Sequence, residues 1–108
     1  MMLLVLTTVP NVEEAERLGR HIVDERLAAC VQILPQMTSI YFWEEKVHTE
    51  SEHLLLIKTL IEKFEDLSSF IKQHHSYEVP EIVAIDAEKV SQDYLKWVRD
   101  ATSQNREQ

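Results

Sequence analysis

The chain is poor in the residues that bend, link and cross-link a polypeptide: its 108 residues include one glycine, three prolines and one cysteine. A lone cysteine, Cys30, excludes an internal disulfide and any CxxC zinc or redox motif. So little glycine and proline argues against flexible linkers, repeats and low-complexity segments. One domain over residues 1–102 is expected, followed by a polar tail, residues 103–108, expected to be disordered. There is no glycine-rich phosphate loop, no nucleophile in a recognised motif and no identifiable histidine partner for Cys30, so an enzyme is not expected. Basic residues are also scarce, 11 Lys and Arg against 19 Asp and Glu, and they are scattered. The resulting charge of -8 repels phosphate backbones and anionic lipid surfaces, so neither nucleic acid nor membrane is an expected partner, whereas cations are weakly concentrated.

With 44% apolar and 28% charged residues, the composition is that of an ordinary globular protein. A chain of this length buries roughly 65% of the surface its unfolded form exposes. The apolar start, MMLLVLTTVP, has no basic leader and no small-residue cleavage site, and it is too short to span a bilayer. It reads as a buried first strand, Met2 to Thr8, and a cytosolic location is expected.

Asn11 then offers a helix cap, with Glu14 at the capping-box position, and Val12, Ala15, Leu18, Ile22 and Val23 recur at helical spacing to about Arg26. From Leu27 to Trp43 the pattern is one long strand with a bulge at Leu34-Pro35-Gln36, because proline is tolerated in sheets only at edges and bulges. Glu44-Glu45-Lys46 turns the chain, and Val47 to Thr59 returns as a strand, polar at first and then continuously apolar. Thr59 and Glu62 suggest a second capping box before a helix to about His74. Pro80 opens a fourth strand, Glu81 to Ile85, and Ser91 caps a last helix with Tyr94, Leu95 and Val98 on one face. The order βαββαβ plus a C-terminal helix is the ferredoxin-like α+β pattern, with an antiparallel sheet and both main helices on one face. The long hairpin between the second and third strands projects beyond the core, and its Tyr41, Phe42 and Trp43 need a partner subunit to cover them.

Six segments, TTVP (7–10), RLAACV (26–31), SIYFWEEK (39–46), LLLIKT (54–59), HSYEVPEI (75–82) and YLKWV (94–98), together resemble the CutA family of divalent-cation tolerance proteins. The resemblance implies a tight homotrimer whose long hairpins exchange strand contacts between neighbours, similar in fold and assembly to the PII signalling proteins. It further implies a non-catalytic role in copper and divalent-ion tolerance. Three positions depart from the family pattern: Glu45 and Gln36 replace glycines, and Ser76 replaces a proline. Loss of the glycines is expected to disturb any positive-φ backbone, and loss of the proline to loosen the corner that presents His75.

The chemistry-bearing stretch is HHSYEVPE (74–81). Imidazole and carboxylate suit Cu(II) or Zn(II), so His75 and Glu78 are candidate metal ligands, with Tyr77 beside them. The same residues also suit a structural corner, with His74 and His75 complementing a helix C-terminus. Cys30 offers a soft thiolate, although its apolar strand setting favours a packed, inert core residue. Lys58, Glu52 and Trp43 are expected to shape a ligand cleft between subunits. His48, Glu50 and Glu52 alternate onto one strand face, a weak ion-binding face or a solvated arm. No cofactor is obligatory; Cu(II) or another divalent cation is the expected ligand. Two other functions fit as well: a PII-like sensor holding a small anion at Lys58 and the helix after Thr59, and a structural trimer whose partners carry the function.

Overall fold

The structure, a computed structural model, describes residues 1–103. The tail expected to be disordered lies, from residue 104 on, outside the described residues. Five strands and three helices follow the order β1 (Met2–Val9), α1 (Val12–Asp24), β2 (Cys30–Ile33), β3 (Met37–Trp43), β4 (Lys46–Leu60), a 3-10 turn (Ile61–Lys63), α2 (Phe64–His74), β5 (Val83–Ala87) and α3 (Gln92–Ala101). The sheet is antiparallel, with strands in the order β2-β4-β1-β5 and β3 continuing along β4. This is the expected ferredoxin-like architecture, with its second strand divided into β2 and β3.

Strand alternation builds the two faces of the sheet. Leu3, Val5 and Val9 of β1 and Leu55 and Ile57 of β4 pack with Ala15, Leu18 and Ile22 of α1 and Leu67 and Ile71 of α2. Both main helices therefore cover one face, as the sequence pattern predicts. The alternate residues Met2 and Leu60 meet Val98 of α3, with Leu4, Tyr94 and Leu95 around them. The single glycine, Gly19, lets α1 approach β2: a Cβ there would meet Val31 Cγ1 at 3.2 Å.

The bulge at Leu34-Pro35-Gln36 is present. Ile33 pairs with Leu55 and Met37 with Glu52, so three residues face two, His53 and Leu54. Pro35 lacks an N–H, but Leu34 still donates to Leu54 O at 2.9 Å, and His53 Nδ1 sits 3.0 Å from Leu34 O. Beyond the bulge, β3 and β4 form a two-stranded arm that stretches the molecule to 50 × 29 × 23 Å.

Several boundaries differ from the sequence expectation. Helix α1 ends at Asp24, where Arg26 adopts φ 63 and Arg26 N and Leu27 N donate to Val23 O and Ile22 O. These two bonds are the Schellman pattern that closes a helix. Lys46 is the first residue of β4, so the turn is Glu44-Glu45 alone. Thr59 caps no helix: it is buried in β4 and its hydroxyl donates to Leu27 O at 2.7 Å, so the strand runs on to Leu60. Strand β5 begins at Val83 rather than after Pro80, its pairing with β1 ending at Leu6↔Val83. Asn11 and Ser91 do cap α1 and α3, accepting from Glu14 N and Tyr94 N. Among the described residues, no helix is long and apolar enough to cross a membrane.

Candidate functional site

The corner between α2 and β5 is built from HHSYEVPE, whose two histidines part company. His74 stays on the helix end, its Nδ1 2.9 Å from Phe70 O. His75 turns inward, and its side chain is fully buried. Because β5 covers β1 only as far as Leu6, the carbonyl of Thr8 is open to another donor, and His75 Nε2 reaches it at 2.7 Å. On the other side of the ring, Nδ1 accepts from Tyr77 N at 3.0 Å. These partners set the tautomer: Nε2 carries the proton and Nδ1 the lone pair. Both nitrogens are in use, so His75 could coordinate a metal only by giving up one of these bonds.

Glu14 holds the next residue. Its buried carboxylate accepts from Ser76 N at 3.0 Å and Ser76 Oγ at 2.8 Å, and it lies 3.8 Å from His75 Nδ1. The expectation that Ser76 loosens the corner is thus corrected: the backbone N–H that a proline would lack is one of two ties to α1. The sequence pattern marks Glu14 only as a capping-box acid. A carboxylate at that helical position serves either purpose, and only the folded approach of α1 to the corner shows which.

With the corner fixed, the Tyr77 hydroxyl donates to Glu52 Oε2 at 2.6 Å, joining it to the base of the β3–β4 arm. Burial, and then the bond to Glu52, raises the Tyr77 pKa far above its usual value, so the hydroxyl remains a donor at any ordinary pH. The Tyr41 hydroxyl is raised too, by desolvation and then by Glu50 and Glu52. A cavity of about 620 Å³ opens here, lined among others by Tyr41, Trp43, Glu52, Tyr77, Glu78 and Glu81. Its lining carries three carboxylates and neither lysine nor arginine.

The structure therefore brings together Tyr77, Glu78, Glu52 and Trp43 of the expected site, with His75 directly behind. It adds Tyr41, expected only to pack at an interface, and Glu81, for which the sequence held no signal beyond proximity to Pro80. Two expected members lie elsewhere. Lys58 Nζ sits over the Tyr94 ring, 5.5 Å from its centroid, and pairs across strands with Cys30. Lys58 is thus absent from the cavity lining, so within one chain it is no neighbour of Glu52 in a cleft. Cys30 is half-exposed rather than packed in the core, because Val31 takes the inward position against Gly19. Thr8, beside the cavity, pairs with Leu54, four residues or about 13 Å of strand from Lys58. Among the described residues of the single chain, no three His, Cys, Asp or Glu side chains gather as a metal site. On the arm, His48 stacks on Tyr41 at 5.4 Å and its Nε2 lies 3.0 Å from Trp43 O.

The sequence matches the CutA1 divalent ion tolerance protein family over residues 3–101. The divalent-cation tolerance protein CutA of Thermus thermophilus is 46% identical over 99 residues, 92% of this chain and 96% of that protein. Protein CutA 1, chloroplastic, of Oryza sativa is 41% identical over 103 residues, 95% of this chain. The chain spans 58% of that rice protein and 55% of the chloroplastic CutA of Arabidopsis thaliana. Among solved structures, the divalent cation tolerance protein of Thermus thermophilus superposes with a TM-score of 0.92 at 45% identity, covering 95% of this chain and 100% of that one. The periplasmic divalent cation tolerance protein CutA of Archaeoglobus fulgidus gives 0.93 at 34% identity, with the same coverage. The segments that frame the cleft and the fold that assembles it agree with these likenesses: the chain belongs to the CutA1 divalent ion tolerance protein family.

Proposed function

We propose that this protein is a non-catalytic divalent-cation tolerance protein, working as a homotrimer that takes up Cu(II) or another divalent cation at the cleft beside Tyr77. The observation that carries this reading is the charge of the lining: Glu52, Glu78 and Glu81 with no basic side chain. Oxygen donors of this kind suit divalent cations and repel anions. Glu78 and Glu52 are the first-choice ligands. His75 acts through Tyr77, whose backbone it holds, and a thiolate from Cys30 would reach the cleft only from a neighbouring copy.

Assembly as a trimer is supported by what one chain leaves uncovered. Ile40, Phe42 and Val47 of the arm are 71%, 70% and 66% exposed, far more apolar surface than a lone domain carries on one element. The sheet also ends in two unlike edges, β2 and β5. Unlike edges join head to tail, and such contacts close into a ring when the rotation between copies permits. The anion-sensor alternative has less support: Lys58 is engaged with Tyr94, and Thr59 lies within β4 instead of capping the helical segment that begins at Ile61.

Calorimetry with Cu(II) and Mn(II) on the wild type and on Glu52→Gln and Glu78→Gln tests the cleft. Each substitution is expected to weaken Mn(II), an ion that prefers oxygen donors, by about tenfold. Wild-type affinity for both ions in both variants would end the assignment.

A further inference from the structure

A second pair of imidazoles lies apart from the cleft. His21, in the last turn of α1, and His74, the last residue of α2, are both exposed, with ring centroids 6.1 Å apart and planes at 74°. Phe70, one turn before His74, stacks on it at 4.1 Å and meets His21 edge-on at 6.4 Å. One apolar ring thus steadies both imidazoles. His74 Nδ1 faces Phe70 O at 2.9 Å and must carry the proton to bond there, which leaves the lone pair on Nε2. An imidazole oriented by a carbonyl on its other nitrogen is the usual preparation of a metal-ligating histidine.

The separation fits a shared ion. A bond of about 2.0 Å from nitrogen to metal puts each centroid roughly 3.2 Å from the ion, so two rings span roughly 4.5 Å at a right angle and about 6.4 Å when opposed. The observed 6.1 Å falls within that range. Imidazole nitrogen selects the later first-row ions, Cu(II) above Ni(II) and Zn(II), and discriminates against Mg(II) and Ca(II).

We propose that His21 and His74 form a two-imidazole site for a late first-row divalent cation between the C-terminal ends of α1 and α2, its remaining positions held by solvent. The site is independent of the acidic cleft, and neither reading requires the other. His74 and His75, adjacent in sequence, then have opposite duties: His74 offers a nitrogen to solvent, while His75 spends both inside the fold.

Copper(II) chloride titrated into the full-length protein, followed by calorimetry and by broadening of the histidine ring resonances, tests the site. His21 and His74 should broaden first and together, and Mg(II) at the same concentration should move neither. His21→Ala and His74→Ala should each weaken the tightest Cu(II) site by at least about tenfold, and the double variant should be no weaker than either, because one loss already ends chelation. Both residues are exposed, so the variants should fold, with unchanged circular dichroism, and Glu52→Gln should leave this site intact. Unaltered affinity in the single variants, additive losses, or earlier broadening of His48 or His53 would each overturn the proposal.

Discussion

Ser76 and Tyr77 show how single side chains convert a bend into a fixed cleft wall. Ser76 gives Glu14 two hydrogen bonds, and Tyr77 gives one to Glu52, so the corner is tied to α1 and to β4. The Tyr77 bond carries a pH signature. Its hydroxyl has a folded pKa raised above the unfolded value of about 10, first by burial and then by Glu52. The protonated hydroxyl therefore stabilises the fold fully below about pH 10, and that contribution is lost as the pH rises toward the folded pKa. Urea midpoints are expected to hold steady from pH 7 to 9 and to fall above about pH 10. Tyr77→Phe should make that fall shallower than in the wild type. At pH 7 the same variant should lose about 1–2 kcal/mol, since the buried Glu52 carboxylate loses a donor. An identical alkaline slope in both proteins would remove Tyr77 from this role.

At the scale of elements, two junctions run against local preference. The β3–β4 turn places Glu44 at φ 51 and Glu45 at φ 69, where a two-residue hairpin ordinarily uses Asn-Gly. The glycine expected from the family pattern has gone, yet the left-handed backbone stays, because the cross-strand pairs Trp43↔Lys46 and Phe42↔Val47 dictate the turn. At Gln36, by contrast, the backbone is not left-handed, so nothing there required glycine. Replacing Glu44-Glu45 with Asn-Gly should raise the unfolding free energy by about 1 kcal/mol after the added chain entropy of glycine is subtracted. Thermal denaturation would check this, and a lower midpoint would show that the glutamates hold the turn by contacts of their own. Arg26 resolves a similar conflict differently. It closes α1 at φ 63, where glycine is the common choice, but its Nη1 reaches Ala101 O at 2.9 Å and so satisfies a carbonyl at the end of α3. The side chain offsets at one helix end what the backbone costs at another.

The whole molecule is longer than its mass requires. Its radius of gyration is 14.7 Å, against about 13 Å for a compact chain of this size, and the β3–β4 arm accounts for the difference. An arm with apolar residues on both strands is stable in water only when something covers it. Light scattering is expected to give three times the chain mass. Ile40→Asp with Phe42→Asp should shift the protein to smaller species while leaving the helical circular dichroism intact, because neither residue belongs to the core. A trimer unaffected by both charges would place the interface elsewhere.

The sequence by itself determined the order of elements, the two-faced sheet and the projecting arm. Each of these follows from hydrophobic period and from local signals such as Asn11, Pro35 and Ser91, which act within a few residues of themselves. It also indicated where polar groups crowd together, in positions 74 to 81. Only the tertiary structure decided what those groups do. The difference between His74, facing solvent beside His21, and His75, buried between Thr8 and Tyr77, depends on contacts 53 and 67 residues away in sequence. The same holds for Glu14, which closes the corner, and for Lys58, which the register of β4 turns toward α3 instead of the cleft. Local spacing specifies periodicity, but the partner of a buried polar atom is chosen by long-range packing, which no short stretch of chain contains.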